Sequence, residues 1–167
     1  MKFTLLTHQK ELNRADNTGA LMTQLSQSSC ASFGSLGCAG FSAEQVIWHR
    51  KEPNKDLVEQ IQSGQAVLLS PAGEGDKVSD ISAIEHLIIL DGTWQEARKM
   101  ITKSDYLKQA SWFSLDNPPP SVYHLRRNQV AGGLCTVECA IEVLKLKNQA
   151  DAAAQLTALF EAFLTPS

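Results

Sequence analysis

Two uninterrupted aliphatic runs, AVLL at 66–69 and LIIL at 87–90, each stop at a polar turn and give way to other structure. A strand with one face in water alternates apolar and polar residues. An all-apolar run therefore marks a strand covered on both faces, the usual state of a parallel sheet. KFTLL (2–6), QVIWHR (45–50) and SWFSL (111–115) read as further strands. Parallel neighbours need long crossover connections, normally helical, and helical patterns do fall between these runs. The expectation is an α/β fold, a mostly parallel sheet flanked by helices, in a single domain over 1–167.

Helix signals set the boundaries. DNTGALMTQL (16–25) begins with two cap candidates, Asp16 and Asn17, and NKDLVEQIQSG (54–64) ends on Gly64 in the C′ position. The Ser-, Cys- and Gly-rich segment 26–40 reads as a loop, with room for a turn of helix. Thr93 and Glu96 make an S/T-x-x-E capping box, so a helix starts after Thr93, with Trp94, Ala97, Met100 and Ile101 as its inner stripe. TVECAIEVLKLK carries Val137, Ala140, Ile141 and Leu144 at helical spacing, with Thr136 as N-cap. The last helix, QLTALFEAFL, gathers Leu156, Leu159, Phe160, Phe163 and Leu164 on one side.

Composition narrows the function classes. No apolar run is long enough to span a bilayer, and MKFTLLTHQKELNR turns polar too soon for a signal peptide, so no membrane association and a cytoplasmic location are expected. None of Cys30, Cys38, Cys135 and Cys139 sits in a C-x2-C knuckle, so no metal site is expected and the thiols read as small core residues. The formal net charge of −3 gives no global attraction to nucleic acid, although HRK (49–51), RK (98–99) and HLRR (124–127) are local basic clusters. Nothing in the sequence marks an oligomeric interface.

The chemistry gathers at the strand ends. Ligands of open parallel sheets bind beyond the carboxyl ends of the strands. LLSPAGEG and IILDGTWQE are two such ends, and GGLCTVE leads from a glycine pair into a helix. Brought to one edge, these three corners would offer polar main chain suited to an adenine edge or an amino-acid headgroup. Each residue also has a structural reading. Asp91 and Gly92 could form a turn with positive φ at the glycine, Thr93 is a cap, Trp94 a packing residue, and Glu138 an acid that complements its helix N-terminus.

LDGTWQEARKM closely resembles the signature of the DTW-domain family. THQKELNRADNTGALM (7–22), LLSPAGEG (68–75) and YHLRRNQVAGGLCTVECAIEVL (123–144) resemble three further blocks of that family, in the same order. Two positions depart from its pattern, with His8-Gln9 in place of His-Pro and Glu138-Cys139 in place of Glu-Ala. Family members often carry a cysteine-rich amino-terminal segment, and this sequence opens directly at its first strand without one.

The resemblance implies a SPOUT-like α/β fold with a carboxyl-terminal knot around the cofactor site. It also implies transfer of the 3-amino-3-carboxypropyl group of S-adenosyl-L-methionine to N3 of a tRNA uridine. Asp91 is then expected as general base or orienter facing the reaction, with Trp94 beside cofactor or uridine. The donor cradle is expected from Ser70, Pro71, Leu90, Gly92, Thr93, Leu134, Cys135, Thr136 and Glu138, and RNA contacts from Arg14, Arg126 and Arg127. The same pocket would also suit an RNA methyltransferase that binds the donor with its methyl forward, or a non-catalytic RNA-binding module.

Overall fold

Five strands run in one direction in the computed structural model, which describes residues 1–31, 40–125 and 133–165. They are β1 (Lys2–Thr7), β2 (Ser42–Ile47), β3 (Val67–Leu69), β4 (His86–Asp91) and β5 (Trp112–Phe113), in the order β2-β1-β4-β3-β5. Every pairing is parallel. The helices are α1 (Gly19–Ala31), α2 (Lys55–Gln62), α3 (Trp94–Thr102), α4 (Asp105–Lys108), α5 (Thr136–Leu146) and α6 (Ala150–Leu164). Among the described residues no helix is long and apolar enough to cross a membrane.

The two-residue period of the strands divides the core into two layers. Phe3, Leu5, Leu87 and Ile89 pack with Leu21 and Met22 of α1, Val137, Ile141 and Leu144 of α5, and Leu156 and Phe160 of α6. Leu6, Leu68 and Ile88 turn the other way, onto Leu57 and Ile61 of α2, Met100 of α3 and Leu107 of α4. Side chains two positions past Leu5 and Ile89, namely Thr7 and Asp91, therefore face the α1 and α5 layer, and the register pairs them directly.

Several boundaries differ from the sequence expectation. Helix α1 continues through Ala31, further into the segment read as loop with room for a turn of helix; within it Ser28 donates to the Gln24 carbonyl at 2.8 Å. Strand β2 starts earlier and stops at Ile47, since its partner β1 ends at Thr7; the Trp48 amide makes the last bond, to Thr7 O at 2.8 Å, and His49 and Arg50 leave the ladder. On α3 the inner stripe is narrower than expected, with Met100 buried and Trp94 38% exposed. The N-cap of α5 is Cys135 rather than Thr136, because Glu138 reaches back to the Cys135 amide at 2.8 Å. Gly64 does follow α2 with φ +75°, as the C′ reading requires.

The knot implied by the resemblance depends on the chain path between β5 and α5, of which residues 126–132 lie outside the described residues.

Candidate active site

Connections leave β1 and β4 in opposite directions. Helix α1 leads from β1 to β2 on one side, while α3 and α4 lead from β4 to β5 on the other. Adjacent parallel strands whose exits diverge leave a crevice between their carboxyl ends, the usual place for a ligand in such sheets. The last pair of that crevice is Thr7 and Asp91.

Asp91 is 1% exposed. Burying a carboxylate is costly unless donors meet its oxygens. Three side chains do so. Thr7 Oγ1 donates to Oδ2 at 3.1 Å, Asn17 Nδ2 to Oδ2 at 3.0 Å, and Thr136 Oγ1 to Oδ1 at 2.9 Å. Helices α1 and α5 both begin here, so their N-terminal dipoles also favour an acidic group. A Cβ on Gly19, the first residue of α1, would stand 2.9 Å from Asp91 Oδ1, and glycine is what lets the helix come this close. The buried Asp91 carboxylate ties β1 and β4 to the segment before α1 and to the start of α5.

Gly92 has a different reason from the one anticipated. It is not among the glycines with positive φ; a Cβ there would approach Glu96 Cβ at 3.2 Å and His8 Cβ at 3.5 Å. The capping box is present, with Thr93 N donating to Glu96 at 2.9 Å and Thr93 Oγ1 accepting from Glu96 N at 3.2 Å. Burial raises the Glu96 carboxyl, but the Thr93 hydrogen bonds, His8 and Glu11 outweigh it and hold the group below its ordinary value. The indole of Trp94 lies on the backbone of Gly133, where a Cβ would meet its ring at 2.8 Å.

The third corner is tied in from several directions. Glu138 accepts from Ser121 Oγ at 2.7 Å, Val122 N at 2.7 Å and Cys135 N at 2.8 Å, so its two oxygens pin 121–122 to the start of α5. Tyr123 Oη donates to the Asp16 carbonyl at 2.5 Å, and Val137 N to Thr18 Oγ1 at 3.4 Å. Leu134, Cys135 and Thr136 are half-buried. Burial pushes the Cys139 thiol up to about 12 and raises that of Cys135 as well, so neither is a ready nucleophile at neutral pH. At the β3 end, Ser70 lies beside the β4 exit through the β3–β4 pairing; its amide donates to Phe113 O at 3.0 Å and its hydroxyl to Ala72 O at 2.5 Å, and Pro71 is exposed.

All three corners thus reach one edge of the sheet. The family model of the DTW domain matches residues 1–166. This chain belongs to the DTW-domain family. No solved structure matches it.

Within this DTW domain the residues that sequence reasoning missed are the supports of Asp91: Thr7, Asn17 and Gly19. Asn17 reads in the sequence only as a cap candidate; its Oδ1 accepts from Gly19 N at 2.7 Å while its amide nitrogen serves Asp91. Gly133 reads in the sequence as part of a glycine pair, and nothing there shows that Trp94 covers it. Arg14 is engaged within its own segment, by two hydrogen bonds to Asp16 at 2.8 and 2.7 Å and an approach to Glu11 at 3.8 Å. The Asp16 bond keeps its guanidinium more basic than usual. Arg126 and Arg127 lie outside the described residues. Among the described residues no three His, Cys, Asp or Glu side chains form a group that could hold a metal.

Proposed function

We propose that this DTW domain transfers the 3-amino-3-carboxypropyl group of S-adenosyl-L-methionine to N3 of a tRNA uridine. One observation carries the reading: the DTW turn and the start of α5 meet at the crevice between β1 and β4, joined through Asp91 and Trp94, with the β3 exit next to β4 on the same sheet edge. The edge offers what the donor needs. Ser70, Pro71, Leu90, Gly92, Thr93 and the 134–136 main chain supply polar backbone, while half-buried Leu90 and Leu134 supply apolar surface for a flat heterocycle. A Cβ at Gly133 would fill space that the Trp94 indole occupies, so the chain passes bare-backed beneath a ring that could also face a base. A knotted, SPOUT-like carboxyl-terminal segment belongs to the same reading.

The donor supplies a sulfonium whose carbon–sulfur bonds are open to displacement. Uridine N3 forms the new bond to the γ-carbon, the Cγ–S bond breaks, methylthioadenosine leaves with the electron pair, and the N3 proton passes to solvent or a nearby base. The protein chiefly has to align nucleophile and bond. We propose Asp91 as general base or as orienter of the uracil edge; its hydrogen bonds to Thr7, Asn17 and Thr136 also fix the corners that line the site. Trp94, partly exposed, stands where it can touch donor or extruded uridine. Glu138 contributes by fixing the start of α5.

Nucleoside mass spectrometry of tRNA from cells with and without the gene, repeated with purified protein and donor, tests this. The expected product is a uridine heavier by an aminocarboxypropyl group. A methyl-sized gain would assign the site to methyl transfer. Donor binding with no modified nucleoside would leave an RNA-binding module, and either result overturns the proposal.

A further inference from the structure

Beside the Asp91 crevice, on the β2 side, a cavity of about 410 Å³ is lined by His8, Gln9, Lys10, Trp48, His49, Arg50 and Lys99. These come from three separate stretches: the exit of β1, the exit of β2 and the outer side of α3. Each charged lining residue is cationic. Lys10, Arg50 and Lys99 are exposed, and among the described residues none has a carboxylate within ion-pair distance. Lys2, Arg14, Lys108, Lys145 and Lys147 each have such a partner, whereas Lys51, Lys55, Lys77, Arg98 and Lys103 have none among the described residues; what sets Lys10, Arg50 and Lys99 apart is that they gather around one cavity. A cluster of uncompensated cations on a chain of net charge −3 is a local field aimed at an anion.

The floor is rigid and closed to bases. His8 stacks on Trp48 with ring centroids 5.6 Å apart and planes 22° apart, and Trp48 Nε1 is held by Ser104 Oγ at 2.9 Å. Trp48 is 8% exposed, so its face is not open as a stacking platform. What the groove presents to solvent is charge, and charge without base contacts grips a phosphate backbone rather than reading sequence. The groove is also coupled to the candidate active site, because the His8 amide donates to the Asp91 carbonyl at 2.9 Å.

We propose that Lys10, Arg50 and Lys99 form a phosphodiester subsite that holds an RNA strand alongside the Asp91–Trp94 edge. The choice of RNA rests on the acceptor named in the preceding reading. The two fail separately, since strand binding is measured without donor or turnover.

The probe is fluorescently labelled total tRNA, titrated by anisotropy across a salt series with the full chain. Wild-type affinity should fall as salt rises. Combining Lys10→Ala, Arg50→Ala and Lys99→Ala should weaken low-salt binding by about 10- to 100-fold and reduce the log–log salt slope by about 2 to 3, near the 0.7–0.9 expected per lost phosphate contact. Replacing the three by Arg, Lys and Arg should retain the slope, and circular dichroism with a urea midpoint confirms that the alanine variant folds. Alanine at Lys55, Lys77 and Lys145, exposed cations outside the groove, should leave binding unchanged. Wild-type affinity and slope in the groove variant, equal losses in the control variant, or no salt-dependent tRNA binding by the wild type would each overturn the proposal. Aminocarboxypropyl transfer with unaltered groove-variant binding would sink this inference alone. A groove-dependent affinity without transfer would sink the enzymatic reading alone.

Discussion

Asp91 is an acid whose value lies in what it holds still. Thr136→Val keeps the side-chain volume and deletes the 2.9 Å hydrogen bond to Oδ1. The unmet buried oxygen should lower stability by about 1–3 kcal/mol, read as a lower urea midpoint at unchanged m-value. An unmoved midpoint would show that Oδ1 finds another donor. Gly133→Ala acts from the opposite wall. Its Cβ would stand 2.8 Å from the Trp94 ring, so the indole must shift. Tryptophan emission should change in the wild-type background but not in Trp94→Phe, and donor affinity by calorimetry should drop. An identical spectrum in both backgrounds would mean that the two residues do not touch. At this scale the sequence revealed which residues were unusual but not their partners. An acid and glycine ending an aliphatic run stand out in one dimension, whereas Asn17 and Thr7 lie 74 and 84 positions from the carboxylate they serve.

Helix α3 starts where its capping box says it should, because both reciprocal bonds lie within four residues and owe nothing to the rest of the fold. Thr93→Ala should therefore cost about 1 kcal/mol, largely recovered in Thr93→Ser, as judged by thermal or urea unfolding of the three proteins. Equal stability of the alanine and wild-type proteins would show that the cap bond contributes nothing. Elements whose ends are set by distant partners were less legible. Strand β2 was placed several residues late because Val46, Ile47 and Trp48 look like strand residues, yet the ladder ends with β1 at Thr7. The cap of α5 was placed one residue late because a threonine outranks a cysteine as a cap in isolation. Glu138 moved the start to Cys135, which left the Thr136 hydroxyl for Asp91.

Across the whole molecule the layers were legible and their arrangement was not. Uninterrupted aliphatic strands announce a sheet covered on both sides, but nothing in β1 or β4 states that they are neighbours. That adjacency has an acid–base consequence at the amino-terminal end of the sheet. His86 on β4 shares a 2.7 Å hydrogen bond with Thr4 of β1, and burial first, then the charge of Lys2, lowers its pKa below the ordinary 6.5. The unfolded chain then takes up a proton that the folded one resists. This stabilisation is complete above pH 6.5 and is lost as pH falls through the folded value. Urea midpoints should decline on acidification from neutrality, less so in His86→Gln, and then decline again below 4.5 as Glu44 and Glu96, both held low, are protonated. A flat profile between neutrality and the carboxylate range would contradict the histidine assignment. The Tyr123–Asp16 bond spans 107 positions and brings the segment ahead of α5 onto the segment ahead of α1. During synthesis, therefore, β1 emerges from the ribosome long before the segment that completes its edge. The nascent chain must carry an unfinished rim, with its acid lacking one donor, until Thr136 has been made.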